Sequence, residues 1–229
     1  MYRGMENKVV VYSNVHKGQR MRFYKIAMQT GTLDFADQKV VSSMYSEVKS
    51  MREQIRLHVR GEEQFVHPIL KERLPGEVRK LEEDHRSIDQ QFDDLIVNLD
   101  AIKAASIDFE KRREMGLEFY RELNRFISFY LVYINKEEEL IQPALWELTT
   151  AKELLTIYGT LIQDSQNTDQ PLEHFDMMMM ATNLDERAEI ILAVKALNEP
   201  EVFPFILKHV QQVLAPEDWE ALKAKLGIN

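Results

Sequence analysis

The sequence predicts an all-α protein built as an up-down-up-down four-helix bundle with a small C-terminal helical extension. Three observations lead to this prediction. Apolar residues recur at spacings of three and four over long segments, which is the period of an amphipathic helix. The 229-residue chain contains only eight glycines and seven prolines. Several of these fall between the periodic segments, where short connections let successive helices reverse direction.

Four long helices account for a predicted bundle domain over residues 1–150. "TGTLD" (30–34) ends the first helix, and "LPGE" (74–77) separates the second from the third through its Pro-Gly turn chemistry. "SIDFEK" (106–111) opens the fourth helix, which is predicted to continue past Pro143. The predicted helices cover about residues 9–30, 35–74, 78–102 and 106–148.

The remaining residues, 151–229, are predicted to form a helical extension that packs on the bundle. The polar segment "DSQNTDQP" (164–171) is the best linker candidate, and shorter helical segments follow it. Two of these begin with proline beside acidic residues, which is typical of a helix start. The four methionines Met177–Met180 are predicted to be adaptable packing or a partner surface.

Composition and charge exclude several classes of protein. The net charge of −9 argues against a duplex nucleic-acid binder and against binding to an anionic membrane surface. The absence of cysteine excludes disulfides, thiolate metal sites and cysteine nucleophiles. No apolar stretch reaches the roughly 18 residues of a membrane span. We therefore expect a soluble, cytoplasmic protein that binds neither nucleic acid nor membrane; a protein partner is not indicated.

Polar residues interrupt the core-facing stripe of each predicted bundle helix. His16 lies in the stripe of the first helix and His85 in that of the third. The second and fourth helices each contain a pair of such residues, four positions apart. Their stripes are Met44, Val48, Met51, Ile55, His58, Glu62, Phe65 and Ile69 in the second helix and Phe119, Leu123, Phe126, Tyr130, Tyr133, Glu137, Leu140 and Ala144 in the fourth.

The two glutamates in these stripes indicate a metal site. A single histidine in an apolar stripe is more often a core residue than a ligand, but a carboxylate is almost never fully buried without a partner. No Lys or Arg lies in the stripes at the level of Glu62 and Glu137. A cation between the helices is the simplest compensation.

The chemistry of these side chains fits a pair of first-row metals. Residues four apart lie about 40° apart around a helix, so His58 and Glu62 can hold the same ion. Carboxylates on facing helices can bridge two metals. Nitrogen and oxygen donors without sulfur suit iron or manganese, with zinc as a further option.

The spacing of these residues carries a resemblance to a known family. His58 and Tyr133 each stand ten residues before a proline, and Glu62 and Glu137 stand six before it. The segments "VHKGQR", "LHVRGEEQFVHP", "EEDHRSID" and "KEEELIQPAL" resemble the motifs of the hemerythrin-like, or HHE cation-binding, proteins over about residues 8–150. The resemblance implies a four-helix bundle with a non-haem di-iron site that binds oxygen or a related small molecule. Its metal ligands would be His16, His58, Glu62, His85, Glu137 and Tyr133.

Tyr133 departs from the family pattern, which has histidine at this position and uses it with His85 on the second metal. Three roles stay open. The tyrosine phenolate can bind ferric iron if the metal drives its deprotonation. The hydroxyl can instead donate a hydrogen bond to a ligand bound at the metal. The ring can also be core packing alone, beside Phe126 and Tyr130.

Three functional hypotheses follow from this ligand set. The first is a non-haem iron protein that binds oxygen, nitric oxide or peroxide for sensing, storage or detoxification. The second is an enzyme that decomposes peroxide or oxidises ferrous iron. The third is a bundle that has lost its metal and acts as an interaction module.

Two neighbouring residues are assigned no role at the site: His67 is predicted to face away, about 180° from His58, and Glu63 to lie on a solvated face.

Overall fold

The computed structural model describes residues 9–104, 108–166, 171–197 and 202–228. Over these ranges the protein is all-α and contains no strand, which confirms the predicted fold class. The helices are α1 (Ser13–Thr32), α2 (Gln38–Gly61), π1 (Glu62–Val66), α3 (His67–Lys71), α4 (Pro75–Lys103), α5 (Phe109–Lys136), π2 (Glu137–Ile141), α6 (Gln142–Leu148), α7 (Ala151–Gln166), α8 (Pro171–Ala181), α9 (Leu184–Leu197), α10 (Phe203–Val213) and α11 (Pro216–Leu226).

The helix ends differ from the predicted ones by a few residues, for local reasons. Asp37 caps α2 by accepting a hydrogen bond from the backbone N–H of Lys39 at 2.8 Å, so this helix begins later than predicted. Asp108 caps α5 in the same way. Pro75 occupies the first turn of α4, where its missing N–H costs nothing. The predicted linker and the start of the predicted fourth helix lie partly outside the described residues.

The backbone divides into two compact units. One comprises residues 22–141 and contains α2, π1, α3, α4, α5, π2 and the second half of α1. The other comprises residues 1–21 together with residues 142–229. The domain boundary predicted at residue 150 stays a prediction.

The unit of residues 22–141 is a helical bundle with an aromatic layer in its core. The ring of Phe23 on α1 lies 6.3 Å from Phe92 on α4 and 5.0 Å from Tyr130 on α5. Phe92 and Phe126 approach each other to 4.4 Å. All four side chains are almost completely buried. Along α5 the layer lies about two to three turns before the buried Glu137.

A close approach between α5 and the segment before α2 requires Gly116 on α5. A Cβ atom at this position would lie 2.2–2.6 Å from three side-chain atoms of Phe35, closer than real atoms pack. Phe35 is itself buried and packs edge-on against Phe119. Only glycine therefore lets the segment before α2 lie against α5.

Two π turns interrupt the long second and fourth predicted helices, and both begin at a glutamate of interest. In π1 the backbone N–H of His67 donates to the carbonyl oxygen of Glu62, five residues earlier. Pro68 follows directly, and a proline in a regular α-helix would clash with the carbonyl four residues before it. The wider turn accommodates this proline. π2 has the same position relative to Pro143.

Each π turn contributes one extra residue, which rotates all following side chains by about 100°. The predicted core positions after each glutamate are therefore wrong by one residue. Phe65 and Ile69 are only partly buried and Leu140 is exposed. The buried residues are instead Val66 and Leu70 after π1, and Ile141 and Leu145 after π2.

The second unit has a separate apolar core formed by α8 to α11 with Val15 from α1. Met178 and Met179 lie in this core and Met177 is buried as well, which agrees with packing for these three, whereas Met180 is 46% exposed. Arg187 on α9 forms a 2.9 Å ion pair with Asp218 on α11. Within the described part of the chain, no helix has the length and apolarity that a membrane crossing requires.

Candidate metal centre

Two buried carboxylates face each other in the bundle, at the points where the π turns begin. Glu62 is 2% exposed and Glu137 is fully buried. One ligand atom from each of His58, Glu62 and Glu137 lies within 4.8 Å of the others. His58 Nε2 and Glu62 Oε1 are 3.3 Å apart, without the geometry of a hydrogen bond, so this oxygen of a buried carboxylate is unsatisfied. Such an atom calls for a cation or a proton.

A second group of donors converges on the other oxygens of the same carboxylates. His85 Nε2 lies 3.4 Å from Glu62 Oε2. The Tyr133 hydroxyl lies 2.6 Å from His85 Nε2 and 3.3 Å from Glu62 Oε2, and it donates a short hydrogen bond to Glu137 Oε1. The tyrosine oxygen is thus surrounded by one nitrogen and two carboxylate oxygens. Tyr133 contacts every other residue of this second group.

Glu63 orients His85 from outside this group. Its Oε1 lies 2.9 Å from His85 Nδ1, and a carboxylate only accepts, so Nδ1 carries a proton and donates. The other nitrogen, Nε2, points to Glu62 and Tyr133. Metal-binding histidines commonly donate their second ring nitrogen to a carboxylate in this way. The prediction that Glu63 lies on a solvated face is correct only in part. Its side chain is 48% exposed, but its carboxylate contacts the ring of His85.

The electrostatics of the buried groups favour neutral forms when no metal compensates them. Burial raises the pKa of Glu62 to about 8, although hydrogen bonding with Glu137 and Tyr133 acts in the opposite direction. Burial and the negative charges of Glu137 and Glu62 also raise the pKa of Tyr133 well above its ordinary value. Among the described residues, no Lys or Arg forms an ion pair with Glu62. The donor set of carboxylates, imidazoles and a phenol therefore fits a hard or borderline cation.

His67 is placed differently from its prediction. It is 3% exposed, and its ring stacks on that of His85 at 5.3 Å with an angle of 10° between the planes. Neither ring nitrogen has a hydrogen-bond partner among the described residues. Burial, followed by the neighbouring His85, lowers the pKa of His67 to about 4. The extra residue of π1 causes the error, because it turns His67 inward by about 100°.

His16 belongs to the other unit and lies in the first turn of α1. Its side chain is fully buried, and its ring stacks on Tyr12 at 5.3 Å. Its role as a metal ligand stays a prediction. Asn135 and Glu139, another pair of polar residues four positions apart in the fourth predicted helix, are both exposed.

The family model described as "Hemerythrin HHE cation binding domain" matches residues 14–145, more than half of the chain. The chain belongs to this family. The match includes every residue of the two donor groups. No match was found among curated proteins or among solved structures.

Membership of the HHE cation-binding family agrees with the fold and with the buried donors. The chain has an HHE domain, and its His/Glu cluster can hold a metal ion. Three features of the centre follow from geometry that the motifs alone do not specify. They are the contact of Glu63 with His85, the inward position of His67, and the contacts of the Tyr133 hydroxyl.

Proposed function

We propose that this HHE domain holds two non-haem iron ions and binds oxygen, nitric oxide or peroxide for sensing, storage or detoxification. The observation that supports it best is the convergence of Glu62 and Glu137 from facing helices without a compensating Lys or Arg on Glu62. The two carboxylates lie between two groups of donors and together offer four oxygen atoms. Carboxylates in this arrangement can bridge a pair of metal ions. Manganese or zinc could occupy the same donors, so metal identity belongs to the proposal.

The ligands divide into two sets around the shared carboxylates. We assign His58, with the fully buried His16, to the first metal. His85 and Tyr133 are assigned to the second. Support for the first set comes from the position of His58 beside Glu62, and for the second from the contacts of His85 Nε2. His16 is assigned from its burial and from the family motif.

Iron in such a centre supplies redox chemistry and an affinity for small oxygen or nitrogen ligands. The protein contributes the other requirements. Burial of Glu62 and Glu137 removes water from the donors, and the aromatic layer of Phe23, Phe92 and Phe126 keeps the helices at a fixed distance. The Glu63 carboxylate holds the His85 ring with Nε2 directed inward. Tyr133 would either bind the second iron directly or donate a hydrogen bond to a ligand bound there.

Metal analysis of the purified full-length chain, grown with ample iron, tests this proposal. We expect about two iron ions per chain, as in other carboxylate-bridged pairs, and a visible spectrum. Glu62→Ala should lose both, because this carboxylate would touch both metals. Glu139→Ala is the matched control: it removes an exposed glutamate two residues from Glu137 and should keep its iron. Iron retained by Glu62→Ala would contradict the assignment.

A second measurement separates the functional hypotheses. Turnover of peroxide or ferrous iron by the iron-loaded protein would favour the enzyme, and reversible ligand binding without turnover would favour the sensor or store. If the purified chain takes up no iron, manganese or zinc, the interaction module is the hypothesis that remains. Each result therefore supports one hypothesis against the other two.

A further inference from the structure

The beginning of α1, residues 13–18, carries His16 and contacts several helices of the C-terminal extension. We call this segment the His16 turn. All of its contacts described below lie within the compact unit of residues 1–21 and 142–229. The first N–H groups of a helix have no partner within it, and helix ends tend to fray. The position of the His16 turn therefore depends on the residues that it packs against.

Three residues of the His16 turn contact the extension through their side chains. Asn14 and Tyr158 of α7 form a side-chain hydrogen bond. Val15 belongs to the apolar core that α8 to α11 form. Lys17 forms an ion pair with Glu186 of α9. The turn is thus attached to the extension by a polar contact, an apolar contact and a charged contact at the same time.

Gly18, at the end of the turn, lets α1 lie directly against the backbone of α8. A Cβ atom at Gly18 would lie 3.0 Å from the Cβ atom of Met177, 3.1 Å from its carbonyl carbon and 3.2 Å from its carbonyl oxygen. Two of these three atoms belong to the backbone, which cannot turn aside as a flexible side chain can. A larger residue at this position would therefore force α1 and α8 apart.

The four contacts surround α1 on the sides that the imidazole of His16 does not occupy. Successive residues of an α-helix are about 100° apart, so Val15 and Lys17 lie to either side of the imidazole. Asn14 and Gly18 lie on the back of the helix, about 160° from it. The extension thus contacts the turn from behind and from both sides, which fixes the direction of the His16 ring.

We propose that the C-terminal extension is the element that positions His16 as a metal donor. The inference rests on the proposed function, which assigns this imidazole to the first metal. On its own, α1 would present His16 from a fraying end, whereas contacts with α7, α8 and α9 hold that end in place. A displacement of these helices would move the imidazole without changing any metal ligand. The affinity for the first metal is thus controlled by helices that carry none of the assigned ligands.

Gly18→Val in the full-length chain tests the proposal, because the branched side chain should push α1 away from Met177. Gly31→Val is the matched control on the same helix: the nearest atoms to an added Cβ belong to the ring of Tyr120, which is 37% exposed and can move. Iron(II) is titrated without oxygen into metal-free protein, with ferrozine as the competing chelator. We expect Gly18→Val to bind the first iron about tenfold more weakly and to keep the second, whereas Gly31→Val should match the wild type.

A measurement without metal separates this inference from the proposed function. Hydrogen exchange of the full-length chain in the presence of a chelator, followed by mass spectrometry, reports the protection of the amides of residues 13–18. Exchange in this segment should be about tenfold faster in Gly18→Val than in the wild type or Gly31→Val. Lys17→Gln removes only the ion pair from a partly exposed position and should give about a twofold change, while Lys25→Gln, at an exposed position of α1, should give none.

The two measurements together support or overturn the inference. Unchanged exchange of the His16 turn in Gly18→Val would overturn it, and so would faster exchange with wild-type affinity for both iron ions. If Gly18→Val is unfolded throughout, the same two comparisons between Lys17→Gln and Lys25→Gln decide. A wild-type chain that binds no iron would contradict the proposed function instead; faster exchange in Gly18→Val would then still support the role of the extension in holding His16.

Discussion

The buried carboxyl of Glu62 should make the metal-free protein less stable as pH rises. Burial raises its pKa to about 8, whereas an ordinary glutamate titrates at 4.5. Between these values the folded chain keeps a proton that the unfolded chain has lost. The folded state binds more protons, so the free energy of unfolding falls as pH increases through this window. Below about pH 4.5 the contribution is complete, and above about pH 8 it is lost.

The size of the effect follows from the shift. The difference between a pKa of about 8 and the ordinary value of 4.5 corresponds to about 5 kcal/mol, at about 1.4 kcal/mol per pKa unit. Integrated from about pH 5 to about pH 8, the loss is about 3–4 kcal/mol. Glu62→Gln should remove this dependence, because the amide resembles the protonated carboxyl in shape and does not titrate. The wild type should therefore lose about 3–4 kcal/mol relative to Glu62→Gln over this interval.

Urea unfolding followed by circular dichroism, in the presence of a chelator, measures the difference. Other buried groups oppose the trend: burial lowers the pKa values of His67 and His174 to about 4, so their contribution to stability is lost as pH falls below about 6.5. Both histidines are present in the two proteins, and the comparison cancels them. If the stabilities of the wild type and Glu62→Gln change in parallel with pH, the carboxyl of Glu62 is not the buried acid described here.

Three further changes test the centre and the fold. If Tyr133 is a metal ligand, Tyr133→Phe should remove a phenolate-to-iron charge-transfer band. If its hydroxyl is a hydrogen-bond donor, the variant should keep the metal and bind the small ligand about 1–3 kcal/mol more weakly. His16→Ala should retain more metal than Glu62→Ala by elemental analysis, because the histidine would touch one metal and the carboxylate two; equal retention would contradict the bridge. Gly116→Ala should lower the free energy of unfolding by about 1–3 kcal/mol through overpacking, whereas Gly76→Ala, whose added methyl meets nothing within 4 Å, should not.

The sequence predicts the helices well up to the two glutamates and poorly after them. Apolar spacing of three and four identifies Met44 to Glu62 and Phe119 to Glu137 as core faces, and these side chains are buried. Beyond them the same spacing selects Phe65 and Leu140, which are not buried. Periodicity assumes a constant turn, and a π turn violates that assumption within a single helix. The available signal was the proline six residues after each glutamate.

The directions of the candidate donors were predictable because each lies on a regular α-helix or, for Glu62 and Glu137, at the first residue of a π turn. His58, His85 and Tyr133 precede the π turns or lie on α4, where spacing along the chain gives their direction. His67 and Glu63 were misplaced because both lie within or just after π1. Their contacts with His85 depend on how far π1 rotates the side chains around the helix axis. No pattern of apolar residues specifies that rotation.

The two π turns have a consequence for how changes in chain length act on this protein. A π turn is equivalent to an α-helix with one inserted residue, so the helix before it and the helix after it have independent registers. Deleting Gln64 would remove the inserted residue and restore one continuous α-helix, in which Val66, His67 and Leu70 keep their present directions. A deletion before His58 would instead rotate His58 and Glu62 together away from their partners. Each π turn can thus absorb the loss of one residue, whereas the half of each long helix that carries the candidate donors cannot.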